Sequence, residues 1–192
     1  MTDIEFKPWP KLARLNRDIV ITEKVDGTNA AIGITEDGFA YAQSRTRLIT
    51  PADDNFGFAR WVLDHQAELA YALGTGLHFG EWYGKGIQRG YGLTDRRFAL
   101  FNVARYEPVA FAEMSLPEVG TVPKLYEGPW SQDAIDGCLD HLRRAGSNIS
   151  GTPAEGIVIF HTAAGTMFKV TLEGDGEPKS VREARLAAVA AS

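Results

Sequence analysis

Cysteine is almost missing from this chain of 192 residues: Cys138 stands alone, so no internal disulfide can form, and a reducing interior is the natural environment. No apolar run approaches the roughly 18 residues that a membrane-spanning helix needs, and the N-terminus has no apolar signal core. An excess of positive charge is missing too. Lys and Arg number 20 against 25 Asp and Glu, a net charge of −5. No global basic field therefore marks a nucleic-acid binder, and any polyanion must be met by a local basic patch. The four histidines lie on unrelated segments without metal-ligand spacing, which argues against a zinc site. No repeat and no low-complexity tract occurs. A soluble, cytoplasmic protein is expected, with no membrane partner. The length and the 44% apolar content suit a single domain over residues 1–192.

What is present centres on Ile21-Thr22-Glu23-Lys24-Val25-Asp26-Gly27-Thr28-Asn29. The β-branched run at 19–22 reads as the end of a strand, and Asp26-Gly27 favours a tight turn. Lys24 is thereby held at a strand-to-turn corner with its side chain aimed out of the sheet, a geometry that suits a nucleophile. A free lysine, with a pKa near ~10.4, is neutral in only about one molecule in two thousand at pH 7. Attack on a phosphate needs desolvation or a neighbouring cation to favour the uncharged amine. The plainer reading of Lys-x-Asp-Gly is a surface lysine beside a hairpin turn, so the decision rests on residues farther along the chain.

Residues 1–18, with Pro8, Pro10 and four cations, read as an extended lead-in. After the lysine corner, 30–34 looks like a returning strand, and Asp37-Gly38 turns the chain into a further strand at 39–44. Two successive antiparallel hairpins suggest a meander. From Asp53 to Leu73 the apolar positions follow helical spacing imperfectly, and Gly74 ends that helix. His65 and Tyr71 are ordinary helix residues in this reading. A strand at 77–83 leads into a glycine-rich loop with close backbone approach at 84–90. Another strand is expected at 98–103, with Ala99, Phe101 and Val103 on one face and Phe98 packing on the other. Ser131 can cap a helix running to Arg144, with Gly146 as its stop and Cys138 beside its apolar stripe. Strands at 155–160 and 167–170 follow, and helical propensity returns from Lys179 to Ala191.

As an ordered set, these pieces resemble the covalent nucleotidyltransferase superfamily of polynucleotide ligases and capping enzymes, and look most like its RNA ligase 2 branch. Glu23-Lys24-Val25-Asp26-Gly27-Thr28-Asn29 matches the nucleophile motif, and Ser44-Arg45-Thr46-Arg47 looks like the second motif. Phe79-Gly80-Glu81-Trp82-Tyr83-Gly84, with Gly86-Ile87-Gln88 after it, resembles the third, and 98–103 is similar to the aromatic motif that comes next. Glu155-Gly156-Ile157-Val158 and Phe168-Lys169-Val170 correspond to the fourth and fifth. Order and spacing agree from residue 5 to about residue 172.

The resemblance implies an α+β fold: an adenylyltransferase (ATP-grasp-like) domain whose antiparallel sheets form a nucleotide cleft flanked by helices. It implies an ATP-dependent RNA ligase that joins 5′-phosphate and 3′-hydroxyl RNA ends, with ATP as AMP donor and Mg2+ or Mn2+ as cofactor. Lys24 would form a lysyl–AMP phosphoramidate, and Lys169 would contact the α-phosphate and help neutralise the attacking amine. Glu81 would accept hydrogen bonds from the ribose hydroxyls, Phe101 would stack on adenine, and Glu23 and Arg45 would complete the nucleotide contacts. Glu155 would bind the metal. Asp26, Asn29 and Arg47 belong to the matched motifs with less definite duties; the branch often has histidine at the position of Asp26. Plainer readings stand beside these: Lys169 as a strand-edge guard, Glu81 and Glu155 as surface carboxylates, Phe101 as core packing.

Three departures stand out. Asn102 follows Phe101 where aspartate is common, and Thr171 occupies the place of a second lysine in the fifth motif. The chain also ends some twenty residues past that motif, without the OB-type or helical C-terminal domain that many relatives use to clamp nucleic acid. A minimal catalytic core is expected, with a possible protein partner in place of that domain. The alternatives are a small DNA ligase or polynucleotide 5′-adenylyltransferase, a non-catalytic nucleotide- or RNA-binding module, and a GTP-using capping enzyme.

Overall fold

The β-branched and apolar runs do form strands, but their pairing is not a simple meander. The computed structural model describes residues 5–174. Its elements are β1 (Asp18–Lys24), β2 (Thr28–Ile34), β3 (Ala40–Ser44), β4 (Leu48–Ile49), α1 (Phe58–Asp64), α2 (Gln66–Leu73), β5 (Gly76–Gly84), β6 (Arg96–Leu100), α3 (Val103–Tyr106), β7 (Val119–Thr121), β8 (Lys124–Pro129), α4 (Gln132–Ala145), β9 (Gly156–His161) and β10 (Thr166–Thr171). They build two sheets, β10-β9-β1-β8 and β4-β3-β2-β5-β6-β7. All pairs are antiparallel except β6 with β7. The result is the expected α+β architecture.

The expected hairpin between β1 and β2 is not there. β1 pairs with β8 and β9, whereas β2 pairs with β3 and β5. Val25-Asp26-Gly27 therefore carries the chain from one sheet to the other. A turn dipeptide announces a change of direction; it does not say which strand takes the next hydrogen bonds. The second expected hairpin, β2 to β3 around Gly38, does form.

Period-two alternation gives each sheet one face for helices and one for its partner sheet. On the outer face of the six-stranded sheet, Phe58, Val62, Leu69 and Leu73 from α1 and α2 pack against Ile32, Trp82, Phe98 and Leu100. On the four-stranded sheet, Ile135, Leu139 and Leu142 of α4 cover Ile19, Ile21, Ile157 and Ile159, with Cys138 in the same cluster. α4 follows its sequence signals: Ser131 accepts from the Ala134 N–H and Gly146 closes the helix. The inner faces meet through Val25, Tyr83, Tyr91, Ala99, Val103 and Val122, with Val20 and Phe101 packed alongside.

Two expectations shorten. The helix foreseen over 53–73 is two helices broken at His65 (φ −115°, ψ 24°). Its apolar stripe has a gap between Leu63 and Leu69, and the break lets each half face the core. The strand foreseen over 98–103 ends at Leu100, because Asn102 caps α3 by accepting from the Arg105 N–H. Asparagine and aspartate cap about equally well, so Asn102 does here what an aspartate at that place would do for the helix. The helical propensity at 179–191 lies outside the described residues.

The crossing is tight. A Cβ at Gly27 would lie 2.4 Å from the Trp82 carbonyl oxygen and 3.0 Å from Cγ of Glu81. Gly27→Ala is therefore expected to cost about 1–3 kcal/mol of unfolding free energy, measured by urea denaturation.

Candidate active site

Lys24 is the last residue of β1, and alternation puts its side chain with Val20 and Thr22 on the face turned away from α4. Gly156, the first residue of β9, is its register partner, so Glu155 arrives beside it from the strand entry. The Lys24 Nζ donates to Glu155 Oε2 at 2.6 Å, and both side chains are about three-quarters buried. The nucleophile candidate and the metal-ligand candidate thus form one ion pair. Gly156 is required between them and β10: at φ 156° a Cβ would lie 2.1 Å from the Val170 carbonyl oxygen.

The wall opposite is β5. Glu81 lies between Asn29 of β2 and Ala99 of β6 in the sheet register. The Asn29 Nδ2 donates to Glu81 Oε2 at 3.4 Å, and the Gly27 N–H also favours the charged carboxylate. Burial disfavours its charge more strongly than Lys24 and these donors favour it, and its pKa is pushed up from 4.5 to about 7. Phe101 follows β6, half-buried, with its N–H bonded to the Phe79 carbonyl at 3.0 Å. Its ring lies in the cluster between the sheets. Lys24, Glu155, Glu81, Asn29 and Phe101 therefore share the region where the two inner faces meet.

Lys169 reaches the same face by register. It opposes Val158, which opposes Thr22, and Thr171 lies across Gly156 from Lys24. Two strand spacings separate Thr171 from Lys24, about 10 Å between Cα atoms. Lys169 is exposed on the edge strand, and the Thr171 hydroxyl donates to the Glu173 carbonyl at 3.0 Å. At the far end of β3, Arg45 and Arg47 differ. Arg47 pairs with Asp53, its NH2 donating to Asp53 Oδ1 at 3.0 Å, whereas Arg45 is exposed.

The Glu23 side chain points to the other face of β1. Only 1% exposed, it faces α4, accepts from the Ser147 hydroxyl and takes the Asn148 N–H at 2.8 Å. Burial raises its pKa although both donors oppose the rise. Neighbouring strand residues point to opposite faces, so the side chain beside a cleft-facing lysine must point into the core. Its carboxylate is an anchor behind the strand, on the face away from Lys24. Asp26 bonds to the loop after β5: its carboxylate pairs with Arg89 Nε at 2.9 Å and its N–H donates to the Tyr91 hydroxyl at 2.7 Å. Neither Arg89 nor Tyr91, nor the Ser147–Asn148 pair, stood out in the sequence. The glycines at 84, 86 and 90 were the one signal for that loop.

Among the described residues, no group of three or more His, Cys, Asp or Glu could hold a metal unaided. Glu155, with Glu81 across the cleft, offers one or two carboxylates. That suits a divalent ion which takes its remaining oxygens from water and from a bound phosphate chain. An amine against a carboxylate, a second acid opposite, an aromatic ring and a further lysine can bind a nucleotide and transfer a phosphoryl-linked group.

A family model described as RNA ligase matches residues 17–171. Several solved structures of Naegleria gruberi RNA ligase variants share the fold. One with AMP and manganese is 18% identical with a TM-score of 0.55, covering 82% of this chain and 50% of that one. One with ATP and manganese is 16% identical at 0.54, covering 81% and 50%. A ligand-free one is 19% identical at 0.57, covering 82% and 50%. The chain spans about half the length of these proteins. No curated protein matches it, and no helix among the described residues is long and apolar enough to cross a membrane.

Because the folded state holds the Glu81 proton more tightly than the unfolded chain, stability falls as pH rises from about 4.5 to about 7. Glu81→Gln is expected to raise Tm at about pH 8, with the advantage shrinking towards pH 4.5 as the unfolded carboxyl also protonates. Thermal scans across that range check it.

Proposed function

The chain belongs to the RNA ligase family, and on that premise we propose that it is an ATP-dependent RNA ligase working through Lys24. The observation that carries this reading is the Lys24–Glu155 contact of 2.6 Å, at the crossing of two sheets, with Glu81 opposite. In the first step the Lys24 amine attacks the α-phosphorus of ATP. An N–P bond forms, the bond to the bridging oxygen breaks, and pyrophosphate leaves. The amine must give up a proton to do this, and Glu155 Oε2 is within hydrogen-bond reach of it. In the second step a 5′-phosphate oxygen of RNA takes the adenylyl group and frees the amine. In the third a 3′-hydroxyl attacks the activated phosphate, closes the phosphodiester and releases AMP.

The other residues serve these transfers. Glu81 holds the ribose hydroxyls, Asn29 steadies Glu81, and Phe101 stacks on adenine. Lys169 meets the charge that builds on the phosphate oxygens. Arg45, exposed at the end of β3, reaches a phosphate of the nucleotide or of the accepting strand. Glu155 is the residue that would hold Mg2+ or Mn2+, which supplies charge neutralisation at the phosphates when bound. The same carboxylate pairs with Lys24 in the structure. RNA repair in the cytoplasm fits this activity. The unit is one nucleotidyltransferase domain.

Lys24→Ala is expected to abolish acid-labile label from ATP on the protein while the far-ultraviolet spectrum stays native. Label that persists would move the nucleophile elsewhere. Lys169→Ala should slow adenylylation by about 100-fold or more, as for a charge contact made in the transition state; rapid-quench labelling measures it. With 5′-phosphorylated RNA and DNA nicks side by side, joined RNA supports the ligase. Adenylated ends that accumulate without joining identify a 5′-adenylyltransferase, and joined DNA alone a DNA ligase.

A further inference from the structure

Arg89 belongs to none of the matched motifs and has no part in the proposed transfers, yet it touches both segments that carry the reacting pair. Its Nε is 2.9 Å from Asp26 Oδ2, and its NH1 donates to the Pro153 carbonyl at 3.3 Å. Asp26 is two residues after Lys24, and Pro153 is two residues before Glu155. One planar guanidinium, with donors in a fixed fork, therefore bridges the segment leaving the nucleophile and the segment entering the carboxylate.

The loop that presents Arg89 is itself fixed. Ile87 and Tyr91, on either side, are 0% and 1% exposed. Short backbone bonds tie Ile87 to Gly84, Gly90 to Ile87 and Leu93 to Gly90. Gln88 and Tyr91 adopt left-handed φ values of 45° and 53° without being glycine, a conformation that persists only where surrounding contacts impose it. The Tyr91 hydroxyl also holds the Asp26 N–H at 2.7 Å, so the loop grips both the backbone and the side chain of Asp26. A part-exposed ion pair such as Arg89–Asp26 adds little to global stability. What it can supply is geometry.

We propose that Arg89 is a positioning residue that sets the approach of Lys24 to Glu155, acting through Asp26 on one side and Pro153 on the other. The proposal rests on the ligase reading for its effect on rate, but the bridge itself is independent of it. A displacement of about 1 Å at reacting atoms can cost about 100-fold. Arg89→Ala is accordingly expected to slow single-turnover lysyl–AMP formation at saturating ATP and magnesium by about 10- to 100-fold, with the half-saturating ATP concentration within about twofold. Arg89→Lys keeps the charge and only one contact, and should fall between the two. Asp26→Asn combined with Arg89→Ala should be no slower than Arg89→Ala alone, since both remove one bridge.

Hydrogen–deuterium exchange reads the bridge without activity. In Arg89→Ala the amides at 25–28 and those at 154–156 should exchange faster together, with Tm nearly unchanged. A rate within about twofold of wild type, additive losses in the double variant, or exchange that rises on one side only would overturn the proposal. A wild-type chain that never takes the adenylyl label sinks the ligase reading instead, and the exchange result still decides the bridge.

Discussion

Three residues separate β1 from β2, and in that space the chain leaves one sheet and joins the other. Such a crossing is possible only if the sheets come within a backbone's width of each other. Gly27, with no room for a Cβ against the Trp82 carbonyl of β5, is where the chain joins the second sheet. The outer faces are sealed by α1 and α2 on one side and α4 on the other. The inner faces are pinned by Tyr83, Tyr91 and Val25. Lys24 and Glu81 belong to different sheets, so their separation is set by this packing and by nothing local to either.

Charge is distributed around the crossing with the same economy. Each of four carboxylates near it has a different environment and hence a different use. Glu23 is buried behind the strand on Ser147 and Asn148, Asp26 is tied to Arg89, and Glu155 meets Lys24 directly. Glu81 is partly buried in the opposite wall, where burial pushes its pKa up to about 7. Among the cations, Lys24 and Lys169 lie on one sheet and Arg45 follows β3 of the other. Net charge says nothing about that arrangement.

Much of the local structure was legible in the residues. Ser131 and Gly146 bound α4, Gly74 stops α2, and Gly38 turns β2 into β3, because caps and turns are decided by a few neighbouring residues. The motif residues were legible too, Glu81 and Glu155 among them. What was not legible depends on distant partners. Asp26-Gly27 looked like a hairpin because the acceptors of the β1 hydrogen bonds, β8 and β9, are about a hundred residues away or more. Phe98–Val103 looked like one strand because Asn102 reads equally well as a strand polar residue and as a helix cap. The burial of the Glu23 side chain was not legible because its place in a motif does not reveal which face of the strand it takes.

Sequence alone determined the membership of the chain in a family of ligases, the order of its chemical groups and the position of its amine at a strand end, all properties of short contiguous stretches. Only the tertiary structure decided that this amine stands between two sheets, that a glutamate from the segment entering β9 meets it, and that an arginine from the loop after β5 grips the segments on either side. The reason is physical. Hydrogen-bond pairing and burial between strands far apart in the chain are settled by the packing of whole faces, which no local run of residues encodes.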